Sequence, residues 1–351
     1  MRHWRSLNPV SLLLSPLAGL FWLAVSVRRW LYKRHCLRSY RLGVPVVVVG
    51  NITSGGTGKT PLIMALVKAL QQLGFRPGVV SRGYGGTHTT PQLVTGQSDP
   101  TGAGDEPVLI AWKTGAPVAV GHDRVAAGRL LLAHSPGIDV ILADDGLQHY
   151  RLGRDIELVV VDGSYGLGNG LLLPAGPLRE PARRLQSADA VIITRRPGAP
   201  RRFSVRHPRI MEVHHGPGKL YRLIDAKERL DPQHAFSQRL TALAGIARPE
   251  SFFNALENFG LDFQTRTFPD HHAYSATELE REGLLLMTEK DAVKCRKFAK
   301  PDWWVLEWEA LPGPDLIAWL AETIDCPGGP QRCLHTLECH NLKQSTGNKG
   351  M

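Results

Sequence analysis

The sequence VPVVVVGNITSGGTGKTPLIMALVKAL, residues 44–70, contains the strongest indication of how this chain folds. It begins with an uncharged β-branched run that is typical of a buried parallel strand. A glycine-rich segment ending in Gly-Lys-Thr follows, and an apolar segment with helical spacing comes next. A strand, a glycine-rich loop, GKT and a helix form the P-loop arrangement, in which backbone N–H groups surround phosphate oxygens. The pattern therefore predicts nucleotide binding.

The loop residues of this motif are the predicted nucleotide ligands. Lys59 is expected to reach the β- and γ-phosphates, and the Thr60 hydroxyl is expected to bind Mg²⁺. The strict motif has glycine at the position of Thr53, but the strand and helix on either side are those that the motif requires. ATP is favoured over GTP because the sequence lacks the [NT]KxD pattern of many guanine-specific loops. The predicted ATP contacts are Thr53, Ser54, Gly55, Gly56, Thr57, Gly58, Lys59 and Thr60.

A pair of carboxylates follows a second strand-like segment. Residues 137–143 are mostly apolar and lead directly into Asp144 and Asp145. P-loop enzymes use an acid at the end of a neighbouring strand to hold the metal ion of the nucleotide. Asp144 or Asp145 is therefore expected to hold the metal, directly or through water. Hard oxygen ligands and phosphate predict that this metal is Mg²⁺.

The order of the predicted elements indicates the fold class. Strand-like segments alternate with helical or loop segments through the first 200 residues, which predicts an α/β fold. We expect a P-loop NTPase-like parallel sheet with helices on both faces and a smaller second α/β domain. A proline- and arginine-rich stretch at residues 195–202 suggests a hinge between them. The predicted organisation is an N-terminal segment at 1–43, a P-loop domain at 44–204, a smaller α/β domain at 205–325 and a frayed tail at 326–351.

The charge is distributed unevenly. The chain has 351 residues and a formal net charge of +10, and residues 1–98 contain twelve basic and no acidic side chains. The other 253 residues contain 30 basic and 32 acidic groups. This argues against a uniformly basic nucleic-acid-binding protein and favours a local anionic partner. The five cysteines include no CxxC pair, which predicts neither a zinc site nor a disulfide framework and suits a reducing, cytosol-facing protein.

The N-terminal segment is expected to lie on a membrane without crossing it. Residues 6–27 are uncharged, but Ser15-Pro16 interrupts the apolar run, and a spanning helix needs about 20 apolar residues. We predict an amphipathic helix over about residues 16–35 with Ser15 as its N-cap. A signal peptide is disfavoured because no small-residue cleavage site follows, and docking on the protein's own core would not explain the cations. The predicted lipid-facing residues are Leu17, Leu20, Phe21, Ala24, Trp30 and Leu31, with Arg28, Arg29, Lys33, Arg34 and Arg38 near headgroups.

Further segments occur in a fixed order along the chain. They are residues 50–61, SRGYG at 81–85, GDEP at 104–107, DDGLQH at 144–149, LPAGPLRE at 173–180, AGIARP at 244–249, FPDHH at 268–272 and TEKDAVK at 288–294. This combination resembles the tetraacyldisaccharide 4′-kinase family, the lipid A 4′-kinases of Gram-negative bacteria. The resemblance implies transfer of the ATP γ-phosphoryl group to the 4′-hydroxyl of a tetraacylated glucosamine disaccharide 1-phosphate, giving lipid IVA. It also implies peripheral or monotopic attachment to the cytosolic face of the inner membrane.

The resemblance also implies a catalytic acid–histidine pair formed by Asp105 and His271. Either His271 is the base and Asp105 fixes its tautomer, or Asp105 is the base and His271 orients it. From the residues alone, the alternatives are that Asp105 is a helix N-cap or turn carboxylate and that His271 is a surface-loop histidine. Arg82 is a candidate ligand of the substrate 1-phosphate or of the transferring phosphoryl group, and Tyr84 a candidate for packing on a sugar ring. Further candidate substrate contacts are Asn51, Arg179 and Arg248, whereas Gln148 and His149, just beyond the metal-side acids, are expected to order that loop without touching substrate.

Two other functions use many of the same features. A membrane-associated P-loop ATPase that acts as a switch or recruits a partner would need the P-loop, the acids and the basic helix. A nucleotide-regulated lipid-binding protein would need them too. Neither would need an acid–histidine pair assembled from two domains. The expected partners are accordingly the acylated disaccharide substrate and a membrane surface, and no nucleic acid.

Overall fold

The computed structural model describes residues 4–200, 203–232, 236, 239–279 and 284–325. The strands are β1 Val46–Gly50, β2 Pro77–Ser81, β3 Gln92–Val94, β4 Val118–Val120, β5 Val140–Asp144, β6 Ile156–Asp162, β7 Ala190–Arg195, β8 Ile210–Arg222, β9 Arg229–Leu230, β10 Leu240–Ala244, β11 Phe263–Thr267, β12 Leu285–Thr288 and β13 Trp303–Pro312. The helices are α1 Pro9–Leu13, α2 Ser15–Lys33, α3 Lys59–Gln72, α4 Pro100–Ala103, α5 Asp105–Thr114, α6 Arg124–His134, α7 Glu250–Asn258, α8 Glu289–Cys295 and α9 Pro314–Asp325, with 3-10 turns at Ala182–Ser187 and Arg296–Phe298.

The strands form one large, mostly parallel sheet. Its order is β11-β10-β12-β13-β8-β7-β6-β1-β5-β2-β4-β3, and β9 pairs with β8. The P-loop strand β1 lies between β5 and β6 and is parallel to both. The carboxyl ends of β1, β5, β2 and β4 therefore lie along one edge of the sheet, where ligands bind in open α/β folds.

Helices cover both faces of this sheet. Val47 and Val49 of β1 pack into one apolar cluster with α3, α5 and α9, whereas Val46 and Val48 pack into another with α6. Successive strand residues point to opposite faces, so an uninterrupted valine run is buried on both sides. The predicted α/β class, with a parallel sheet covered on two faces, is confirmed.

The sheet continues through the predicted boundary at residues 204 and 205. Strand β7 pairs in parallel with β8, and β8 pairs antiparallel with β13. The division into two domains stays a prediction. The tail predicted at residues 326–351 lies outside the described residues.

The bounds of helix α2 nearly match those predicted for the N-terminal helix, but its N-cap residue differs from the predicted one. Leu14 is the N-cap residue, and the Ser15 hydroxyl donates to the Leu12 carbonyl oxygen at 2.7 Å. The prediction of Ser15 as N-cap was wrong because α1 precedes directly and Leu14 already has helical backbone angles. No helix in the described ranges combines the length and apolar character needed to cross a membrane.

Candidate active site

The P-loop connects β1 to α3 and exposes part of its backbone. Gly58 has φ of 84°, a left-handed conformation that glycine adopts without strain, and it precedes Lys59 at the start of α3. Gly55 and Gly56 are exposed and Ser54 is half-buried, whereas Thr60 is buried. The Lys59 ammonium lies 3.4 Å from Asp145 Oδ1. A glycine-rich loop, a helix N-terminus and a lysine together form a phosphate site.

Two of the residues predicted to contact ligands, Asn51 and Thr53, are buried and stabilise the P-loop. Asn51 is fully buried, and its Nδ2 donates to the Gly55 carbonyl oxygen at 3.3 Å and lies 3.5 Å from Thr53 Oγ1. Thr53 is also buried and pairs with Leu178 through an isolated β-bridge. These contacts hold the loop shape, while the predicted contacts of Asn51 with substrate and of Thr53 with ATP remain predictions.

The carboxylates Asp144 and Asp145 have different environments. Asp144 ends β5 and is buried, and the Ser81 hydroxyl donates to its Oδ2 at 3.0 Å. Burial, then repulsion from Glu106 and Asp145, raises the pKa of Asp144 to about 7. Burial would also raise the pKa of Asp145, but Lys59 and Arg179 outweigh it and lower that pKa. The Arg179 guanidinium donates to Asp145 Oδ2 at 3.0 Å.

These groups fit a magnesium ion. The second oxygen of Asp144, Oδ1, is buried without a hydrogen-bond partner, so it has an unused acceptor site. Within the described ranges, no group of three or more His, Cys, Asp or Glu side chains is placed to hold a metal ion by itself. The available donors are oxygens of Asp144, Asp145 and Thr60, which is the donor type that Mg²⁺ prefers when phosphate completes its shell.

The structure brings the predicted acid and histidine together. Asp105 is the first residue of α5 and is buried, and its Oδ2 accepts a hydrogen bond from His271 Nδ1 at 3.0 Å across 166 positions of sequence. Its Oδ1 accepts from the backbone N–H of Glu106 at 2.9 Å. Asp105 is thus the first helical residue and a member of the pair, whereas the N-cap of α5 is Gly104, so the N-cap interpretation of Asp105 was wrong.

Electrostatics favour the charged form of this pair. Burial would raise the pKa of Asp105, but the hydrogen bond from His271 and the charge of Lys290 lower it. The hydrogen bond to Asp105 raises the pKa of His271 above its ordinary value of 6.5, against the effect of burial. The exposed Tyr84 ring lies 5.3 Å from the His271 ring, centroid to centroid, and Arg82 is exposed nearby in sequence. The described geometry therefore places Tyr84 at the entrance to the pair.

Ion pairs that sequence reasoning missed hold α5 in place. At the start of α5, Glu106 pairs with Lys290 of α8. At its other end, the buried Lys113 ammonium lies 2.8 Å from Glu289 and 2.9 Å from Glu307. Helix α5 is therefore tied at both ends to the part of the chain that contains His271. The TEKDAVK segment was the available signal, since it contains Glu289 and Lys290, but nothing in the sequence showed what they contact.

A cavity of about 1480 Å³ adjoins the P-loop. Ser54 and Gly55 form part of its wall, together with Tyr165, Arg248 and His215. The Arg248 guanidinium lies 5.8 Å from the Tyr165 ring centroid and 3.1 Å from an Asp162 carboxylate oxygen. Burial lowers the pKa of His215 to about 4, so this ring is neutral where it packs on Gly58. Arg248 was a sequence candidate, whereas Tyr165 and His215 were missed.

The segment after the metal-side acids orders the P-loop. Gln148 Nε2 donates to the Asn51 carbonyl oxygen and to Glu180 Oε1, each at 3.0 Å. Gly50 allows this segment to approach, because a Cβ at that position would lie 2.7 Å from Leu147 Cβ. His149 is half-buried 4.0 Å from Asp123. Gln148 thus orders a loop beside the site through hydrogen bonds within the protein, which is the role expected for it.

Comparison with known proteins shows which family this chain resembles in sequence and structure. The family model described as tetraacyldisaccharide-1-P 4'-kinase matches residues 10–325. The tetraacyldisaccharide 4'-kinase of Thiobacillus denitrificans is 48% identical over 321 residues, covering 91% of this chain and 97% of the relative. That of Chromobacterium violaceum is 46% identical over 327 residues, covering 91% and 96%. A crystal structure of LpxK from Aquifex aeolicus in complex with ATP superposes with a TM-score of 0.78 at 28% identity, covering 89% of this chain and 98% of that one.

Proposed function

The chain belongs to the tetraacyldisaccharide-1-P 4′-kinase family, and from that premise we propose how its residues carry out the reaction. It is an ATP-dependent kinase that phosphorylates the 4′-hydroxyl of a tetraacyldisaccharide 1-phosphate in lipid A biosynthesis. The decisive observation is the Asp105–His271 pair, whose neighbour Glu106 is close enough to Asp144 for its charge to act on that carboxylate. A hydroxyl acceptor needs a group that removes its proton, whereas a nucleotide switch does not.

ATP binds with its phosphates on the P-loop and its nucleoside in the adjoining cavity. Lys59 and the backbone N–H groups of residues 55–60 hold the phosphate oxygens, while the Ser54 N–H donates to the Pro177 carbonyl oxygen at 2.7 Å. The cavity begins at Ser54 and Gly55, and its Tyr165 and Arg248 present flat π-faces suited to a purine base. Neutral His215 packs against Gly58 without adding charge beside the phosphates.

Asp144, Asp145 and Thr60 are the residues that would hold Mg²⁺. The ion neutralises charge that develops on the β- and γ-phosphates when it is bound. Asp145 also orients Lys59 and Arg179, whose charges lie on either side of it. Phosphoryl transfer depends mainly on positioning and charge neutralisation, so these residues account for most of the expected catalysis.

Asp105 and His271 take the proton from the acceptor hydroxyl as one unit. The atoms that can accept it are a carboxylate oxygen of Asp105 and, when the ring is neutral, Nε2 of His271. The hydrogen bond between Asp105 Oδ2 and His271 Nδ1 lets either residue stabilise the other's charge. The ion pairs of Glu106 and Lys113 keep α5, and therefore Asp105, at the distance that this hydrogen bond requires. A base built in this way is strongest when both residues are present.

We also place the protein on the cytosolic face of the inner membrane, in peripheral or monotopic attachment. Support comes from α2, where Leu17, Leu20, Leu23 and Trp30 are exposed and the cations Arg28 and Lys33 are exposed as well. An exposed apolar surface next to cations suits an anionic leaflet. Such a position brings the site to an acylated acceptor that is itself held in the membrane.

Purified protein with radiolabelled ATP, Mg²⁺ and tetraacyldisaccharide 1-phosphate tests the function. Label is expected in the lipid, and the variants Asp105→Asn and His271→Gln should lower transfer by about 10²–10⁴-fold while nucleotide binding is retained. Label found only as free phosphate would favour the ATPase alternative. Absence of transfer by folded, nucleotide-binding protein would overturn the kinase assignment.

A titration tests the pair itself. The NMR pKa of His271 should lie above 6.5 in the wild type and fall in Asp105→Asn, because that variant removes the carboxylate that raises it. The folded-state pKa of His271 is raised and that of Asp105 is lowered. The pair therefore stabilises the fold most between the ordinary values of 3.8 and 6.5, less as pH rises through the His271 pKa, and less as pH falls through the Asp105 pKa. An unchanged His271 pKa in Asp105→Asn would contradict the assignment.

A further inference from the structure

Arg124 is a buried cation that forms no ion pair with any acidic side chain among the described residues. It is the first residue of α6 and is only 6% exposed. In the described part of the chain, no carboxylate oxygen lies within 4.0 Å of its guanidinium. Its Nη1 donates to the His122 carbonyl oxygen at 3.3 Å, and its Nε is buried without a partner. Burial, then the charge of Arg82, lowers the pKa of Arg124.

Arg184 shows what a buried structural arginine looks like in the same protein. It is 2% exposed, and it pairs with Glu157 at 2.5 Å and with Glu180 at 3.3 Å. Burial is outweighed there by Glu157, which raises the pKa of Arg184. Removing a charge from water is costly unless a partner compensates for it. Arg184 has that compensation within the fold, whereas Arg124 lacks a direct ion pair and is suited to an anion from outside.

The position of Arg124 indicates where that anion binds. Strands β1, β5, β2 and β4 are neighbours in that order and are all parallel. Their carboxyl ends lead to Lys59, to Asp144 and Asp145, to Arg82 and to Arg124 respectively. Along the edge of the sheet, the two carboxylates therefore lie between the P-loop lysine and the two arginines. Arg124 is close enough to both carboxylates for their charges to act on it.

We propose that Arg124, together with Arg82, binds the oxygens of a phosphoryl group on the side of Asp144 and Asp145 opposite Lys59. A guanidinium donates two parallel hydrogen bonds to phosphate, and it does so best where water is excluded. The inference rests on the proposed function, whose reactants provide two such groups. These are the γ-phosphoryl group of ATP and the 1-phosphate of the acceptor. Arg82 was a sequence candidate for either group, whereas Arg124 adds a buried, pre-positioned second cation.

Steady-state kinetics of Arg124→Gln and Arg124→Lys test the proposal. Wild-type transfer must first be observed, so that failure of the proposed function is recognised separately. Arg124→Gln should then lower kcat/KM by about 100-fold, since it removes charge-assisted hydrogen bonds to the phosphoryl group, and Arg124→Lys should recover part of the loss. Arg129→Gln is the matched control, because Arg129 lies exposed on the same helix and contacts only the Tyr40 ring in the described structure.

The two phosphoryl sources are distinguished by the acceptor. Each variant is assayed with tetraacyldisaccharide 1-phosphate and with the same lipid lacking the 1-phosphate. Loss confined to the phosphorylated acceptor would assign Arg124 to the 1-phosphate. Equal loss with both acceptors, expressed in kcat, would assign it to the transferring group. Either pattern supports the proposal, and activity of Arg124→Gln within twofold of wild type with both acceptors would overturn it.

Thermal unfolding separates a binding role from a structural one. Without ligand, Arg124→Gln should be at least as stable as wild type, because it removes a buried charge that has no ion-pair partner. Arg184→Gln is the reference, and its Tm should fall because Glu157 and Glu180 lose their partner. A comparable fall in Tm for Arg124→Gln, with both kcat and KM of the folded protein unchanged, would show that Arg124 is structural and would overturn the proposal.

Discussion

Helices α2 and α3 have similar compositions and opposite environments. Both are rich in leucine, valine and alanine, and neither contains an acidic residue. In α3, Leu62, Ile63 and Leu66 are completely buried beneath the sheet. In α2, Leu20 is 65% exposed and Leu23 is 53% exposed. Hydrophobic composition alone therefore does not tell whether a helix packs on the protein or faces its surroundings.

The difference follows from what each helix contacts. Helix α3 packs against α5, α9 and the sheet, so its apolar side chains leave water when the chain folds. Helix α2 touches the body through a few contacts, such as the hydrogen bond from Arg29 to Ser187 and the packing of Tyr32 on Tyr150. An exposed apolar surface of this kind marks an interaction site rather than a core. We therefore expect α3 to serve folding and catalysis and α2 to serve attachment.

Replacing Lys59 at the start of α3 should have the largest effect. Lys59→Ala removes the cation that faces the phosphates, and phosphoryl transfer should fall by about 10³-fold. Binding to anionic vesicles should be unchanged, because α2 is intact. Lys68→Ala is the control, since Lys68 is exposed on the same helix. Parallel loss of transfer and of vesicle binding in Lys59→Ala would break the separation between the two helices.

Truncating one leucine in each helix tests their roles in stability. Leu66→Ala creates a cavity in the core and should lower the free energy of unfolding by about 2–5 kcal/mol. Leu20→Ala alters an exposed side chain and should change it by less than about 0.5 kcal/mol. Urea denaturation of the detergent-free protein measures both values. Similar losses would mean that α2 is packed on the protein as tightly as α3.

Adding charge to the apolar surface of α2 should reduce attachment. Leu20 and Leu23 are three positions apart and share one side of the helix. The double variant Leu20→Glu, Leu23→Glu should weaken vesicle binding by about 100-fold, because each leucine contributes about 1.5–3 kcal/mol when it leaves water. Vesicle co-sedimentation measures binding, and transfer to detergent-dispersed acceptor should be preserved. Unchanged co-sedimentation would contradict membrane attachment through this surface.

Replacing the cations of α2 should have the smallest of these effects, a modest loss of binding to anionic vesicles. Arg28→Gln and Lys33→Gln should each weaken binding to anionic vesicles by about 1 kcal/mol, or roughly fivefold, with little effect on zwitterionic vesicles. Added salt should reduce the difference between wild type and variants, because it screens exposed charges. A loss that is equal for both vesicle types would show that these cations act through helix packing.

Much of the sheet was predictable from local sequence. Runs of β-branched residues such as residues 46–49 and 158–161 form strands, as such runs predict. Strand β8 was not predicted, because Gly216, Pro217 and Gly218 suggest a turn. Pairing with β13 keeps this segment extended, and Pro217 lies opposite Trp308 at a register shift. Edge strand β11 was missed because its sequence FQTRT shows no continuous apolar run.

By itself the sequence determined the phosphate-binding loop, the acidic pair after a neighbouring strand and the basic N-terminal region. Each is a local pattern of adjacent residues whose chemistry follows from its spacing. Only the tertiary structure decided which distant residues meet, including His271 with Asp105 and Lys290 with Glu106. It also decided that Arg184 has acidic partners and Arg124 has no direct one in the described structure. Burial and pairing depend on packing between elements, and no single segment of sequence contains that information.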